Sequence, residues 1–516
     1  MKKILLLLFL VPSFVYSQNI FEKFWDFEYS LNITDAVIDE DGNAYFTCIG
    51  TNLDVDSTLS IVVKTNSDFE IQWANQYRSL RRDDVVSLEL LNDGNILIGG
   101  TMRQSFALDE GGSLIKINPD GEVIWHKVIS GAFDERIIYT AEQANGDIVS
   151  IVRYGVNNQP SSITILEQNG NLISVERLFD SDNTGLQIED AVQGGNGRFY
   201  MCGERFDSEV GRDLPFIASF ALADTSWMRT YDLGEDARPS SISINEDHEI
   251  VISGLRDDPE SVFNSVNTWF IKVDSFGDVL QSKRIFRENN GFSEFPSGVH
   301  LKNDGSVLVS SNFLVDNGFY PVISSFDPDG VLVWAESADN ELGTSLSLNA
   351  VLADDLILVM GRTFLGLGVV NVVSSLGQFA CNDFDTPFDV EDLEVVSFED
   401  EFTFSSISTN AVELDLEVIP LSMVESENCS GTLSSEDEEI SLIFELYPNP
   451  SQDFVYLDNL LGAQLLQVYS IDGRLIEDYT LVSGVNKLLI DHLPSGSLII
   501  SLKSDFGVVT QRMVKL

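Results

Sequence analysis

The chain has 516 residues, of which 44% are hydrophobic, enough to pack roughly two to four domains and to exclude disorder throughout. Asp and Glu number 82 against 30 Lys and Arg, so the formal charge is −52. A surface of that sign repels phosphate backbones and anionic lipid, which argues against nucleic acid and favours cations or neutral ligands as partners.

The chain begins as a secretory signal does. Two lysines follow the first Met, residues 4–11 form an apolar run, and short side chains precede a cleavage position between Ser17 and Gln18. A run of this length is too short to span a bilayer. The sequence therefore predicts a signal peptide at residues 1–17 and no transmembrane span in the mature chain.

One pattern then recurs seven times: a tight acidic or glycine turn followed by an apolar strand. The copies are DEDGNAYFTCIG (39–50), LNDGNILIGGT (91–101), QANGDIVSIVR (143–153), GGNGRFYMCGE (194–204), INEDHEIVISGL (244–255), LKNDGSVLVSSN (301–312) and LADDLILVMGRT (352–363). A second turn and strand follow each copy and contain a slot that recurs every 47 to 54 residues. The slot residues are Trp73, Trp125, Ser174, Trp227, Gln281, Trp334 and Cys381.

Each unit predicts four strands joined as two hairpins, because Asn-Gly and Asp-Gly supply the positive φ angles of two-residue hairpin turns. Four strands repeated seven times are typical of an all-β, seven-bladed β-propeller, here over residues 18–385. Small residues behind the turns fit crowded strands near a central axis, as at Gly99, Gly100, Gly203 and Gly254. We expect the Trp strand to lie outermost, where large side chains pack between blades.

The two ends of this region suggest how the ring closes. Trp25 lies 48 residues before Trp73, so the first strand is expected to complete the last blade and remove an exposed edge. Cys381 occupies the same slot in the final unit, which leaves one strand over. Two arrangements remain open: seven blades with residues 386–430 as a hairpin extension, or an eighth blade made mostly from those residues.

Four cysteines fit an oxidising compartment without a dense disulfide scaffold. Cys381 and Cys429 flank the extension, and a disulfide between them is predicted to close it as a loop. Cys48 and Cys202 lie inside apolar strand patterns and are predicted to be small core residues.

The composition changes near the C-terminus. Residues 431–443 are small and acidic without periodicity, which indicates a linker. Residues 444–516 hold five Lys or Arg against eight Asp or Glu, so nearly all of the acidity precedes this tail. Six or seven short alternating strands in the tail predict a small Ig-like β-sandwich.

Four motifs stand out in the tail: YPNP (Tyr447, Pro448, Asn449, Pro450), VYSIDGRLI with Gly473, LPSGSLIISL with Gly496, and RMVKL with Arg512 and Lys515. Together they resemble the C-terminal sorting domain, type A, of bacterial type IX secretion cargo. One departure is Leu498, where the family usually has an aromatic residue. The resemblance implies recognition by the outer-membrane translocon and its processing machinery, cleavage of the tail, and a passenger attached to the cell surface or released. The prolines hold the chain extended where it enters the sandwich.

The sequence contains no metalloprotease, paired-cysteine zinc, P-loop, nucleophile-elbow or dinucleotide-binding motif. The four histidines, His126, His248, His300 and His492, are scattered and indicate no catalytic residue. Asp39, Asp41 and Asn43 place oxygens at alternate positions around a glycine, as calcium loops do. The same residues also favour a hairpin turn through local hydrogen bonds, so both interpretations remain open.

Function stays open among three classes at this stage. The first is a secreted or cell-surface binding or adhesion module for a glycan, peptide or protein, using loops such as 204–215 and 255–268. The second is an extracellular hydrolase or lyase acting on polysaccharide, which requires carboxylates with aromatic walls at the central channel. The third is a structural role in a surface layer.

Overall fold

The computed structural model describes two compact units, Asn19–Thr432 and a smaller unit containing Leu433–Leu516. The described residues are 18–433, 446–447, 451 and 454–515, apart from gaps at 28, 53–56, 79–82, 104–109, 131–134, 155–158, 183, 222–223, 258–265, 287–293, 316–317, 339–344, 352–356, 364–366, 375–382, 386–388, 408, 414–415, 460–464, 471–474, 481–483, 491, 495 and 505–506.

The larger unit is built from antiparallel blades of four strands each, named here blades 1 to 7. Blade 1 comprises β2 (Ser30–Ile38), β3 (Ala44–Asn52), β4 (Ser57–Thr65) and β5 (Ile71–Arg78). Blade 2 comprises β6 (Asp83–Leu90), β7 (Ile96–Arg103), β8 (Glu110–Ile117) and β9 (Val123–Ser130). Blade 3 comprises β10 (Glu135–Glu142), β11 (Ile148–Tyr154), β12 (Ser162–Leu166) and β13 (Leu172–Asp180).

The remaining blades follow the same order. Blade 4 comprises β14 (Gln187–Gln193), β15 (Phe199–Asp207), β16 (Arg212–Ala221) and β17 (Asp224–Asp232). Blade 5 comprises β18 (Ala237–Ile244), β19 (Ile250–Asp257), β20 (Val266–Val273) and β21 (Val279–Phe286). Blade 6 comprises β22 (Glu294–Leu301), β23 (Val307–Val315), β24 (Gly318–Phe326) and β25 (Leu332–Ala338). Blade 7 comprises β26 (Ser345–Val351), β27 (Ile357–Arg362), β28 (Gly368–Val373) and β1 (Gln18–Asp26).

The first strands of the blades surround a common axis. Each first strand from β2 to β26 contacts the first strand of the next blade, and β26 contacts β2 to complete the ring. The predicted seven-bladed β-propeller is therefore confirmed. The crowding near the axis lies between the first two strands of a blade, because a Cβ added to Gly203 would lie only 1.9 Å from the carbonyl oxygen of Gln187.

The hairpin turns differ from the predicted two-residue type. Gly42 N–H donates to the carbonyl oxygen of Asp39 (3.0 Å), and Asp39 N–H donates to that of Asn43 (2.9 Å), so the loop has three residues. It is a type I turn followed by one residue in the left-handed region, Gly42, at φ 83°. Only the last loop residue therefore needs a positive φ, and Phe69 and His248 occupy that position in two equivalent turns.

Slot residues of blades 1, 2 and 5 donate a hydrogen bond to the next blade. The indole Nε1 of Trp73 donates to the carbonyl oxygen of Pro119 (3.2 Å), in the turn between the third and fourth strands of blade 2. In blade 5, the side-chain Nε2 of Gln281 donates to Pro328 of blade 6 at the same distance. Gln281 thus replaces the indole N–H as donor. The slot strand is the fourth strand, however, and not the outermost one as expected, since a fifth strand covers it.

The first strand closes the ring as the sequence predicted. β1 pairs with β28 in antiparallel register, with Phe21 opposite Val372 and Trp25 opposite Gly368. Trp25 is fully buried, and its ring meets that of Phe46 in blade 1 edge to face at 4.9 Å. The N-terminal strand therefore completes blade 7 and also packs against blade 1.

Residues 383–433 form neither a hairpin extension nor an eighth blade, and we call this segment the belt. Its strands are β29 (Asp383–Asp385), β30 (Asp389–Asp392), β31 (Val396–Asp400), β32 (Phe402–Ser406), β33 (Asn410–Glu413), β34 (Glu417–Pro420) and β35 (Val424–Leu433). They pair, in that order, with the fourth strands of blades 6, 5, 4, 3, 2, 1 and 7. The belt therefore runs backwards around the ring and adds a fifth strand to every blade. Local pattern cannot distinguish this arrangement from a hairpin, because each partner strand is distant in sequence.

The predicted disulfide falls partly outside the described residues. Cys381 is not described, and only the backbone of Cys429 is described, within β35. The pairing stays a prediction. Cys48 and Cys202 are buried free thiols in the second strands of blades 1 and 4, as predicted for core residues.

The C-terminal unit is a β-sandwich of two antiparallel sheets. One contains β36 (Leu446–Tyr447), β37 (Phe454–Asn459) and β40 (Gly484–Leu489); the other contains β38 (Leu465–Ser470), β39 (Leu475–Thr480), β41 (Gly496–Ser504) and β42 (Gly507–Lys515). Val455 and Leu488 of the first sheet share one apolar core with Val468 and Met513 of the second. Leu498 lies in that core and is 3% exposed, so the smaller side chain still fills a buried position.

Candidate functional site

The central channel is lined by the first strands. All seven of these strands carry a bulge at the same position. In six of them the bulge residue lines the channel, whose volume is about 630 Å³. These bulge residues are Thr34, Val86, Ile138, Glu189, Ser240 and Ser297. Glu189 is the one charged residue among these six.

Two half-buried carboxylates beside the channel hold neighbouring blades together. Asp35 Oδ2 accepts a hydrogen bond from the N–H of Leu88 in blade 2 (2.8 Å), and Asp190 Oδ2 accepts one from Ile242 in blade 5 (3.0 Å). Burial raises the pKa of Asp190 to about 6, and the N–H groups of Ile242 and Ala191 partly offset that rise. These carboxylates therefore have a structural role across the blade boundaries.

A second cavity, of about 600 Å³, lies where the first strands of blades 3, 4 and 5 begin, and we call it the loop-face pocket. It adjoins the channel, since Arg136, Ile138 and Arg153 line both. Its lining residues are Arg136, Ile138, Arg153, Tyr154, Thr184, Gly185, Gln187, Glu204, Arg205, Phe206, Asp213 and Arg238.

Blade 4 supplies carboxylates to this region and its two neighbours supply arginines. Arg153 of blade 3 donates to Glu189 through Nη1. Arg238 of blade 5 contacts Glu204 through Nε (3.3 Å) and Asp213 through Nη2 (3.3 Å). The charges at the junction of pocket and channel are therefore paired across the blade boundaries.

Two of these carboxylates titrate at higher pH than usual. Burial raises the pKa of Glu189 to about 7, against the lowering effect of Arg153 and with a further rise from Glu204. Burial also raises the pKa of Glu204, opposed by Arg238. Glu189 therefore changes its charge close to neutral pH, where a carboxyl with an ordinary pKa is fully ionised.

The predicted calcium residues form a local turn. Asp39 Oδ1 accepts hydrogen bonds from the backbone N–H groups of Asp41 (3.0 Å) and Asn43 (2.8 Å), and Oδ2 accepts one from the Asn43 amide (2.9 Å). This geometry matches the hairpin interpretation. Within the described part of the chain, no cluster of three or more His, Cys, Asp or Glu is arranged to hold a metal. Calcium at Asp39, Asp41 and Asn43 stays a prediction.

The histidines do not come together. His126 is buried beside Ser113 in blade 2, and His248 occupies a turn. His300 lines the channel, where burial lowers its pKa to about 4. His492 lies in the sandwich and contacts Glu477 at 2.5 Å.

The two ends of the predicted sorting motif meet in the sandwich. Ser451, directly after Pro450, forms a parallel bridge with Lys515, and Gly496 lies opposite Lys515 in the pairing of β41 with β42. Arg512 lies opposite Ile499 in the same pair of strands. Tyr447 pairs with Tyr456, whereas Pro448, Asn449, Pro450 and Gly473 lie outside the described residues, as does the signal through Ser17; Gln18 begins β1.

Residues 445–516 match the family described as "Secretion system C-terminal sorting domain". The chain is a cargo protein of the type IX secretion system. The tail of the cargo protein implies an interaction with the type IX secretion machinery and export across the outer membrane to the cell surface or extracellular space. No curated protein matches the sequence of the cargo protein. Its described residues include no helix with the length and apolarity needed to cross a membrane.

Several solved structures are similar to the cargo protein at low identity. An ulvan lyase of polysaccharide lyase family PL25 is 10% identical, with a TM-score of 0.44 over 66% of this chain and 94% of that one. The β-propeller domain of the trilobed protease from Pyrococcus furiosus is 10% identical, with a TM-score of 0.38 over 67% and 94%. An acylaminoacyl peptidase from Pyrococcus horikoshii is 9% identical, with a TM-score of 0.35 over 83% and 57%. These scores are too low to carry an argument about function.

The pocket residues were not predicted from the sequence. Equivalent positions near the start of three consecutive first strands hold Arg136, Gln187 and Arg238. Their partners in the second strands are Arg153, Glu204 and Leu255. That shared position is the signal that could have identified them, once the register of the first two strands was known.

Proposed function

We propose that the propeller of this exported cargo protein is a non-catalytic binding or adhesion module whose loop-face pocket binds an extracellular glycan or protein. The observation that supports this function is that the carboxylates of the pocket and channel are already engaged by the protein. Glu189 is bonded to Arg153, Glu204 contacts Arg238, and Asp190 accepts a hydrogen bond from the next blade. A carboxylate held in this way contributes to shape and charge more readily than to proton transfer.

The second candidate is a hydrolase or lyase acting on extracellular polysaccharide. One observation favours it: Glu189 and Glu204 are neighbouring carboxyls with raised pKa values, and Glu189 titrates at about 7. A general acid or base works best when its pKa lies near the operating pH. Phe206, an exposed ring, supplies aromatic surface in the adjoining pocket.

A panel of extracellular polysaccharides separates the two functions. The mature protein, collected from cells that export it, is tested for retention in gels containing each polysaccharide, and new chain ends are assayed in the same samples. Retention without cleavage is expected, and Glu189→Gln should keep it. Cleavage that disappears in Glu189→Gln would establish the enzyme instead. Failure to retain any polysaccharide or cell-surface protein would overturn the binding function.

A further inference from the structure

The loop-face pocket concentrates cations in a strongly acidic chain. Its twelve lining residues include two carboxylates, Glu204 and Asp213, and four arginines: Arg136, Arg153, Arg205 and Arg238. The whole chain has the opposite balance, with 82 acids against 30 Lys and Arg. The lining therefore carries a positive formal charge, although the composition as a whole favoured cations or neutral ligands as partners.

Two of the arginines are accessible at the beginning of their strands. Arg136 is exposed at the start of β10, and the side chain of Arg238 is 61% exposed at the start of β18. Arg238 contacts its two carboxylates through Nε and Nη2. A guanidinium has five N–H donors in a planar fork that matches carboxylate, sulfate or phosphate oxygens. Arg238 can therefore pair with a ligand anion while it keeps its contacts with Glu204 and Asp213.

Arg205 and Arg153 are the other two arginines of the pocket lining. Arg205 donates to Asp400 of the belt and to Asp207 (Nη2 to Oδ2, 3.1 Å), and its side chain is only 11% exposed. Arg153 is tied to Glu189. Arg205 is thus largely buried and Arg153 is 40% exposed, whereas Arg136 and Arg238 are the most exposed arginines of the pocket lining.

We propose that the loop-face pocket binds a sugar unit that carries an oxyanion, a uronate or a sulfated sugar of an extracellular polysaccharide, through Arg136 and Arg238. This inference rests on the proposed binding function and names the class of its ligand. The acidic remainder of the surface repels densely charged polymers, so the ligand carries its anionic groups sparsely along the chain. Recognition then depends on short-range bidentate contacts within the pocket rather than on long-range attraction.

The geometry favours a saccharide over an acidic peptide. Peptides commonly bind by adding a strand to an exposed sheet edge, but the outer edge of each blade is a belt strand, and no described residue of the belt lines the pocket. The pocket, at about 600 Å³, suits a short ligand segment held by side chains. Phe206, 58% exposed, lines it beside the arginines, and such a ring suits the C–H face of a sugar.

The test measures binding of four probes to the mature protein by calorimetry. The probes are a uronic-acid trisaccharide, its carboxyl-reduced neutral counterpart, a sulfated trisaccharide without uronic acid, and an acidic tripeptide. Arg136→Gln and Arg238→Gln should each weaken binding of an anionic trisaccharide by roughly tenfold or more, since each removes a charge-assisted contact. Arg238→Lys should retain part of the affinity, because it keeps the charge and loses the fork.

Arg362→Gln is the matched control. Arg362 is also an exposed arginine and ends the second strand of blade 7, away from the lining of the pocket. The inference is supported if this variant binds the anionic trisaccharides as the wild type does and if the wild type binds the neutral trisaccharide more weakly. The anionic trisaccharide that binds more tightly then identifies the ligand group as uronate or sulfate. Equal binding of the neutral probe overturns the inference and leaves the binding function intact. Binding of the tripeptide alone overturns the choice of saccharide. If no probe and no polysaccharide of the panel binds, the proposed function fails as well.

Discussion

At the scale of single residues, the last loop residue of each three-residue hairpin turn, which has a positive φ, affects the free energy of unfolding. Gly94 and His248 occupy that position in two blades, at φ 77° and φ 63°. The left-handed region costs a residue with a side chain roughly 1–2 kcal/mol. We predict that His248→Gly raises the free energy of unfolding by about 1 kcal/mol, measured by urea denaturation.

Gly94→Ala is the matched reverse change. Nothing lies within 4 Å of a Cβ added at Gly94, so the substitution changes the backbone cost without a steric clash. It should lower the free energy of unfolding by about 1 kcal/mol. A shift of the two variants in the same direction would refute the role given to the positive φ angle.

Glu89, on the first strand of blade 2, makes stability depend on pH. Burial, together with the charges of Asp35 and Glu142, raises its pKa to about 8. An acid with a raised folded-state pKa binds more protons in the folded than in the unfolded state. Its favourable contribution is therefore complete below the ordinary value of 4.5 and is lost as the pH rises through about 8.

We predict that Glu89→Gln increases the free energy of unfolding relative to the wild type above pH 8, because it removes a charge that burial penalises. Below pH 4.5 the two proteins should be equally stable, since the wild-type carboxyl is then protonated. Urea denaturation at both pH values measures the difference. Glu40→Gln, the same change at an exposed turn residue, should show no such pH dependence; a constant difference for Glu89→Gln would contradict the argument.

At the scale of elements, the belt is the part of the propeller whose attachment contributes least to stability. Its sequence contains no Lys or Arg, and its acids meet basic residues of the blades. These ion pairs are Lys23–Glu425, Arg78–Glu417, Lys127–Glu413, Arg205–Asp400, Arg229–Glu399, Lys283–Asp392 and Arg284–Glu391. Most of the acids are exposed, and exposed pairs contribute at most about 1 kcal/mol each and weaken with salt.

We predict that the belt exchanges its amide hydrogens before the blades do. Strands β30 to β34 have four or five residues, pair on one side only and are largely exposed, whereas second strands such as β11 are buried. Such edges open at low free energy. Hydrogen exchange read by mass spectrometry should show early exchange in belt peptides and a further increase at high salt. Peptides from the second strands are the internal control, and equal protection of belt and second strands would contradict this hierarchy.

The sequence predicted the hairpins and the ring because those pairings are local and repeat. Its repeat placed Trp73 and Gln281 in the same slot, and in the structure both donate to the next blade. It did not predict the belt, whose partners lie far away in the chain, or the pocket, which combines Arg136, Glu204 and Arg238 from three blades. Those sites depend on how one blade is placed beside the next, which a single repeat does not encode.

At the scale of the whole molecule, both ends of the passenger meet on blade 7. β1 follows the predicted signal directly, and β35 ends just before the linker to the sorting tail; the two strands are adjacent in one sheet. Blade 7 therefore receives its fifth strand only when the chain through Leu433 is available. The sorting sandwich has its own core and its own sheets, so the two units are expected to fold separately.

This separation allows export to be tested without damage to the propeller. Met513 is fully buried in the core of the sandwich, and Met513→Asp places a charge there, which should unfold the tail. We predict that this variant, like a deletion of residues 445–516, accumulates in the periplasm with an intact propeller, measured by cell fractionation and near-ultraviolet circular dichroism. Asp478→Asn, an exposed change in the same unit, should leave export unchanged. Normal surface delivery of either the deletion or Met513→Asp would show that export does not require the folded sandwich.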